Sequence, residues 1–167
     1  MSAGTALGEM KDVVQSLEIL NGSGKLKTVS KESLSFTYRK LSWNNSSTAP
    51  VIFNADFLLQ KGNIKEIKKQ SNDLLKTRNK NQPVSLPNAG CIFKNPNSEN
   101  PAGKLIDLAG LKGTKRGSAQ ISEKHANFIT NNGGASASEI ISLIDLAKEK
   151  VFKKFQIILE TEVQIVG

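Results

Sequence analysis

The stretch "SASEIISLIDLAKEKVF", positions 136 to 152, constrains the fold of this chain most. Ser136 and Glu139 stand at capping-box spacing, where a hydroxyl and a carboxylate satisfy each other's backbone N–H groups at a helix start. Beyond them Ile140, Ile144, Ala147, Val151 and Phe155 fall on one stripe of a helix, so a helix follows with that face against a core. Immediately afterwards the period changes. In "FQIILETEVQIV", Phe155, Ile157, Leu159, Thr161, Val163 and Ile165 alternate with Glu160, Glu162 and Gln164, which predicts a terminal strand with one apolar and one polar face. Helix and strand patterns in one segment point to an α+β fold.

The front of the chain reads as strands. "VVQSLEIL", the turn-rich "NGSG" and "KLKTVS" predict a hairpin. After the irregular "NNSSTAP" comes "VIFNADFLL", in which Val51, Phe53, Ala55, Phe57 and Leu59 share one face. Gly62 then punctuates the chain, and a domain boundary is expected there. Further on, "AGKLIDLAG" predicts a short helix capped by Gly110, and "SAQISEKHANFITN" a strand, a loop and a strand. Between these parts lies the basic run "KGNIKEIKKQSNDLLKTRNKNQ", with Ile64, Ile67, Leu74 and Leu75 at helical spacing.

The net charge of +8 raises the question of nucleic acid. That basic run holds no aromatic residue on which a base could stack, so a solvated helix face is the better reading. Some of its charges could instead attract an anionic small molecule such as a nucleotide diphosphate. A single cysteine among 167 residues cannot close an internal disulfide, and a reducing compartment suits it. No apolar run approaches the ~20 residues of a membrane-spanning helix, and "MSAGTALGEMKDVV" lacks the pattern of a signal peptide. The expected location is cytoplasmic.

Four stretches carry groups able to do chemistry. "NAGCIFKNP" brings a thiol, an ammonium and an amide within a few residues of Gly90, where backbone can approach a ligand closely. "FTYRK" sets Arg39, a bidentate partner for carboxylates, beside Tyr38. "SEKHANF" clusters Lys124, His125 and Asn127, and "ETEV" offers Glu160 and Glu162. Each has a plain structural explanation on its own: an inert buried thiol, a surface pair, a hydrogen-bonded histidine, solvated carboxylates.

Taken in order, "FTYRK", "NAGCIFKNP", "PAGKLIDLAGLKG", "GSAQISEKHANFITNNGGASASEI" and "ILETEVQIVG" resemble the UDP-N-acetylenolpyruvoylglucosamine reductase family, in its shorter variety. The resemblance implies NADPH and a noncovalently bound FAD, with UDP-N-acetylglucosamine enolpyruvate as substrate and no metal. Hydride goes to the methylene carbon of the enolpyruvyl ether, and negative charge builds on the substrate carboxylate. Cys91 falls where most members carry the serine that delivers a proton. A thiol, with a pKa near ~8.5, is a stronger acid than that alcohol. Arg39 matches the arginine of the Phe-x-Tyr-Arg motif, and Glu162 the C-terminal glutamate, which would donate a hydrogen bond if held protonated. The resemblance further implies Asn95, His125, Lys94, Arg78 and Lys80 as substrate-binding, and Ala3, Gly4 and Tyr38 as cofactor-side residues.

It also implies an organisation. Residues 1–61 correspond to the second half of an FAD-binding α+β domain, and residues 62–167 to a smaller α+β substrate domain whose last strand returns to the FAD side. "MSAG" resembles an internal segment of the family, so a preceding N-terminal half, with the loop that wraps the FAD diphosphate, is expected to be missing. The alternative is an inactive remnant that retains UDP-sugar binding alone. Two departures from the pattern stand out: Ser2 replaces an asparagine, and Leu41 a serine. An apolar face around Val51, Phe53 and Phe57 is expected to be left uncovered.

Overall fold

The computed structural model describes residues 4–5, 8–43 and 51–166. Ala3, Ser2 and "NNSSTAP" lie outside the described residues. The chain divides into two units, Met1–Asn63 and Ile64–Gly167, and the architecture is α+β.

In the first unit, β1 (Gly4–Thr5) pairs with β2 (Gly8–Glu9), and a single helical turn, α1 (Met10–Val13), leads into the predicted hairpin. Its strands are β3 (Val14–Leu20) and β4 (Leu26–Ser30), in register from Ser16↔Ser30 to Leu20↔Leu26. The Asn21 side-chain oxygen accepts the N–H groups of Ser23 and Lys25, closing the turn. A second hairpin joins β5 (Leu34–Thr37) to β6 (Lys40–Trp43). β7 (Val51–Phe57) pairs antiparallel with the other edge of β3, giving the order β4-β3-β7. Val14, Leu17, Ile19 and Val29 form a small core with Phe36, Leu41, Trp43 and Ala55 against it. On β7 only Ala55 joins that core; Val51, Phe53 and Phe57 are exposed.

The second unit begins with the basic helix α2 (Ile64–Asn81), all of whose residues are exposed, its apolar stripe included. Then follow β8 (Asn88–Cys91), α3 (Ala102–Leu108), β9 (Lys115–Arg116), β10 (Ala119–Ile121), β11 (Phe128–Asn131) and α4 (Ala137–Phe155). The strands form an antiparallel sheet in the order β8-β11-β10-β9. α4 starts as its sequence predicts. Ser136 Oγ accepts the Glu139 N–H and Glu139 Oε2 accepts the Ser136 N–H, at 3.3 and 3.0 Å. Ile144, Ala147 and Val151 are buried and Ile140 and Phe155 partly so, beside Leu105, Ile106, Ile121 and Leu159. Gly110, in the left-handed region at φ 76°, ends α3 as expected.

The terminal strand is a correction. Phe155 is the last residue of α4, which Gln156 stops by turning left-handed. The next residues belong to no strand and, among the described residues, form one isolated bridge, Phe93↔Thr161. Leu159 is buried and Ile157 and Val163 pack on the core, so the apolar face is as predicted. Ile165, however, is exposed. The reason is pairing: among the described residues only positions 92–94 offer an edge to this segment.

Candidate active site

Cys91 ends β8 directly opposite Phe128 of β11 and is half-buried. Within β8 the register against β11 shifts just before Cys91, and this irregularity uses Gly90, at φ 81°, whose N–H is accepted by Asn88 Oδ1 at 2.9 Å. Downstream, Asn95 Oδ1 accepts the N–H of Ala102, the first residue of α3, at 3.0 Å. Pro101, the N-cap residue, has no side-chain group for that task.

His125 lies in the short loop from β10 to β11. Ser122 Oγ accepts the N–H groups of Lys124 and His125 and so tightens the loop. The imidazole stands edge-on to Phe128, with ring centroids 4.9 Å apart. Its Nδ1 accepts the Asn127 N–H at 3.3 Å, which leaves the proton of the neutral ring on Nε2. Burial holds its pKa below the ordinary 6.5; a backbone hydrogen bond opposes this and the nearby Lys112 ammonium adds to it. Its other neighbour is Gly103 of α3, where an added Cβ would stand 3.0 Å from His125 Cε1. α3 can approach the ring this closely because position 103 has no side chain.

These elements enclose a cavity of about 330 Å³ whose lining includes Cys91, Asn95, Lys104, Lys112, Lys124 and His125. Asp107 is also there, held by Lys112 at 2.7 Å. The lining thus holds three lysines and one aspartate beside a thiol and an imidazole, a net positive balance, with Lys112 paired to Asp107 and the Lys104 ammonium donating to Glu99 O at 3.3 Å. Sequence reasoning missed Lys104 and Lys112, and took Lys124 only as part of a cluster. The signal was present in "AGKLIDLAGLKG", where Lys104 and Asp107 are three apart on one helix face.

Glu162 reaches this region by backbone. Its N–H donates to Ile92 O at 2.8 Å, and Lys94 N–H donates to Glu160 O at 2.9 Å. Its carboxylate oxygen Oε2 is buried. Lys94 does not line the cavity, its ammonium instead meeting Glu160 at 3.1 Å on the surface. Arg78 and Lys80 sit in the exposed last turn of α2, away from the cavity lining, and Arg78 Nε donates to Gln82 Oε1. In the first unit Arg39 occupies the turn between β5 and β6 at φ 58°, a conformation costly for a side-chain-bearing residue. Its guanidinium lies 5.6 Å from the ring centroid of exposed Tyr38. Gly4 is paired with Glu9 in β1.

Residues 82–166 match the family model of the UDP-N-acetylenolpyruvoylglucosamine reductase C-terminal domain. A reductase of that name from Syntrophus aciditrophicus is 46% identical over 167 residues, covering 100% of this chain and 52% of its own length. One from Desulfosudis oleivorans is 41% identical over 171 residues, covering 100% and 55%. The crystal structure of UDP-N-acetylenolpyruvylglucosamine reductase (MurB) from Thermus caldophilus superposes with a TM-score of 0.80 at 33% identity, over 97% of this chain and 56% of that one. The chain thus spans about half the length of the relatives it matches, and within that span it belongs to the UDP-N-acetylenolpyruvoylglucosamine reductase family.

Proposed function

We propose that this chain supplies the substrate side of a reductase that converts UDP-N-acetylglucosamine enolpyruvate to UDP-N-acetylmuramate, in cytoplasmic peptidoglycan precursor synthesis. The observation that carries the reading is the cavity itself: three lysines for a diphosphate, with Cys91 at the same wall. Lys104, Lys112 and Lys124 attract the phosphates, and the neutral His125 offers Nε2–H to a phosphate or sugar oxygen. Cys91 gives its thiol proton to the carbon beside the substrate carboxylate. Arg39 and Glu162 have the chemistry to hold that carboxylate as charge develops on it. Lys94, Arg78 and Lys80 serve outside the cavity, through long-range attraction.

For the flavin, the fit is partial. The exposed Tyr38 ring and the Arg39 guanidinium in its constrained turn suit the edge of a planar, electron-rich ring system. Gly4 and Ala3 belong to the same side by resemblance. A glycine-rich turn, Gly133–Gly134, does lead into the long helix α4 in the second unit, but the Glu139 carboxylate already occupies that helix start. The rest of the FAD site is therefore assigned to the remaining length that the relatives possess, and this chain alone is expected to bind the flavin more weakly than they do. Bound there, FAD reduced by NADPH would supply the hydride.

A second reading follows from the cavity lying wholly within residues 91–127: a sugar-nucleotide-binding module without turnover. One experiment separates the two. Purified protein is titrated with FAD, with and without UDP-N-acetylglucosamine enolpyruvate, while flavin fluorescence and thermal stability are followed. Saturable flavin binding supports the reductase. Stabilisation by the sugar nucleotide alone supports the module, and no response to either ligand refutes both.

A further inference from the structure

We infer that Asn127 is a positioning residue that sets Cys91 and Glu162 in place together, by acting as a one-residue strand beside Phe93. The inference rests on the roles proposed above for those two groups. β11 begins at Phe128, opposite Cys91, so regular pairing with β8 stops there. The chain after Cys91 nevertheless keeps both its edges bonded. On one edge Ile92 O accepts Glu162 N–H and Lys94 N–H donates to Glu160 O, the antiparallel bridge of Phe93 with Thr161. On the other edge the partner is a side chain. Asn127 Oδ1 accepts Phe93 N–H at 2.9 Å, and Asn127 Nδ2 donates to Phe93 O at 2.8 Å. Asn127 O also accepts Ile92 N–H at 2.8 Å.

A primary amide presents an acceptor and a donor side by side on one edge, as the C=O and N–H of a single strand residue do, so Asn127 reproduces a strand where the backbone has turned away. The side chain is buried, at 2% exposure, and these bonds face little competition from water. Residues 92–94 are thereby clamped between Asn127 and the segment carrying Glu162. Cys91, one residue before the clamp, cannot shift without stretching it. The Asn127 N–H also fixes the His125 ring through Nδ1, so one residue orders three groups of the site. Serine is too short to reach both Phe93 groups, and leucine has no polar group to offer.

Amide hydrogen exchange on the full chain tests this, together with the reaction of Cys91, the sole cysteine, with 4,4′-dithiodipyridine. In Asn127→Ala, protection at Phe93 and Glu162 should fall at least about tenfold and the thiol should react several-fold faster. Ile121 and the amides of α4 should keep their protection. A uniform loss throughout residues 64–167, or no change at Phe93 and Glu162, overturns the inference. Should Asn127→Ala not fold, Asn127→Asp serves. A protonated carboxyl can both accept and donate as the amide does, whereas a carboxylate can only accept. Protection at Phe93 and Glu162, relative to Ile121, should then recover as pH falls from 8 to 5; a flat ratio overturns the inference. Shielding of the Cys91 thiol by the sugar nucleotide is read separately, so failure of the substrate reading leaves the exchange result standing.

Discussion

Asn95 illustrates how a residue in the cavity can carry a structural and a binding task that a pair of substitutions separates. Its Oδ1 accepts the Ala102 N–H at the start of α3, where Pro101 offers no cap. In Asn95→Ala that donor loses its partner. Loss of such a cap costs roughly 0.5–2 kcal/mol, and a buried orphan donor about 1–3 kcal/mol. Asn95 is itself exposed, so water can reach the vacated place, and the lower end applies, about 1 kcal/mol. For a unit near 100 residues this lowers Tm by roughly 4–8 °C. Asn95→Asp keeps the acceptor, and its charge suits a helix start, so stability should match the parent or exceed it. Binding of a nucleoside diphosphate should weaken in the same variant. Two unit charges on the order of 7 Å apart at an effective dielectric near 20 repel by about 2.4 kcal/mol, and salt screening leaves about 1 kcal/mol, roughly fivefold in Kd. Thermal melts and UDP titration by calorimetry give both numbers. Equal destabilisation by Ala and Asp would refute the capping argument, and unchanged UDP affinity in Asn95→Asp would refute the anion site.

Two further outcomes follow from the geometry. His125, the only histidine, has its pKa lowered in the folded state, so the unfolded chain takes up the proton first as pH falls through about 6.5. Stability should decline from there until the folded ring also protonates, then level off; denaturant midpoints between pH 7.5 and 5 should lose this step in His125→Gln. Gly117 sits at φ 51°, and a Cβ there would overlap the Glu139 carboxylate that caps α4. Gly117→Ala should destabilise by about 2 kcal/mol by urea unfolding, falling to about 1 kcal/mol in a Glu139→Ala background where only the backbone penalty remains.

Where a feature was legible in the sequence, its cause was local. The Ser136–Glu139 cap needs four consecutive residues, and the stripe from Ile140 to Phe155 needs only the helical period. The hairpin of β3 and β4 is written in "NGSG", and Gly110 marks the end of α3 in one letter. The terminal segment shows the limit. Alternation from Ile157 to Val163 told which side chains turn inward, but a strand also needs a free edge along its length. That edge is set by where β8 ends and β11 begins, about seventy and thirty residues earlier, and it lasts only from position 92 to 94.

The same argument applies to the site. Lys104 is tied in sequence only to Asp107, and no spacing links it to Lys112 and Lys124, which read as ordinary surface lysines. They converge because α3 packs against the β10–β11 loop, and α3 comes that close because Gly103 leaves room for the His125 ring. The cavity is thus specified by an absence of side chain at one position. The catalytic reading of Cys91 likewise came from its place in a motif, since nothing in a lone thiol announces a task. What the fold adds is a physical reason for that place. Cys91 is the last residue with a backbone partner on β11, and the next peptide is held by an asparagine side chain and by the segment bearing Glu162. A group that must meet a carbon within a fraction of an ångström is best mounted next to such a clamp.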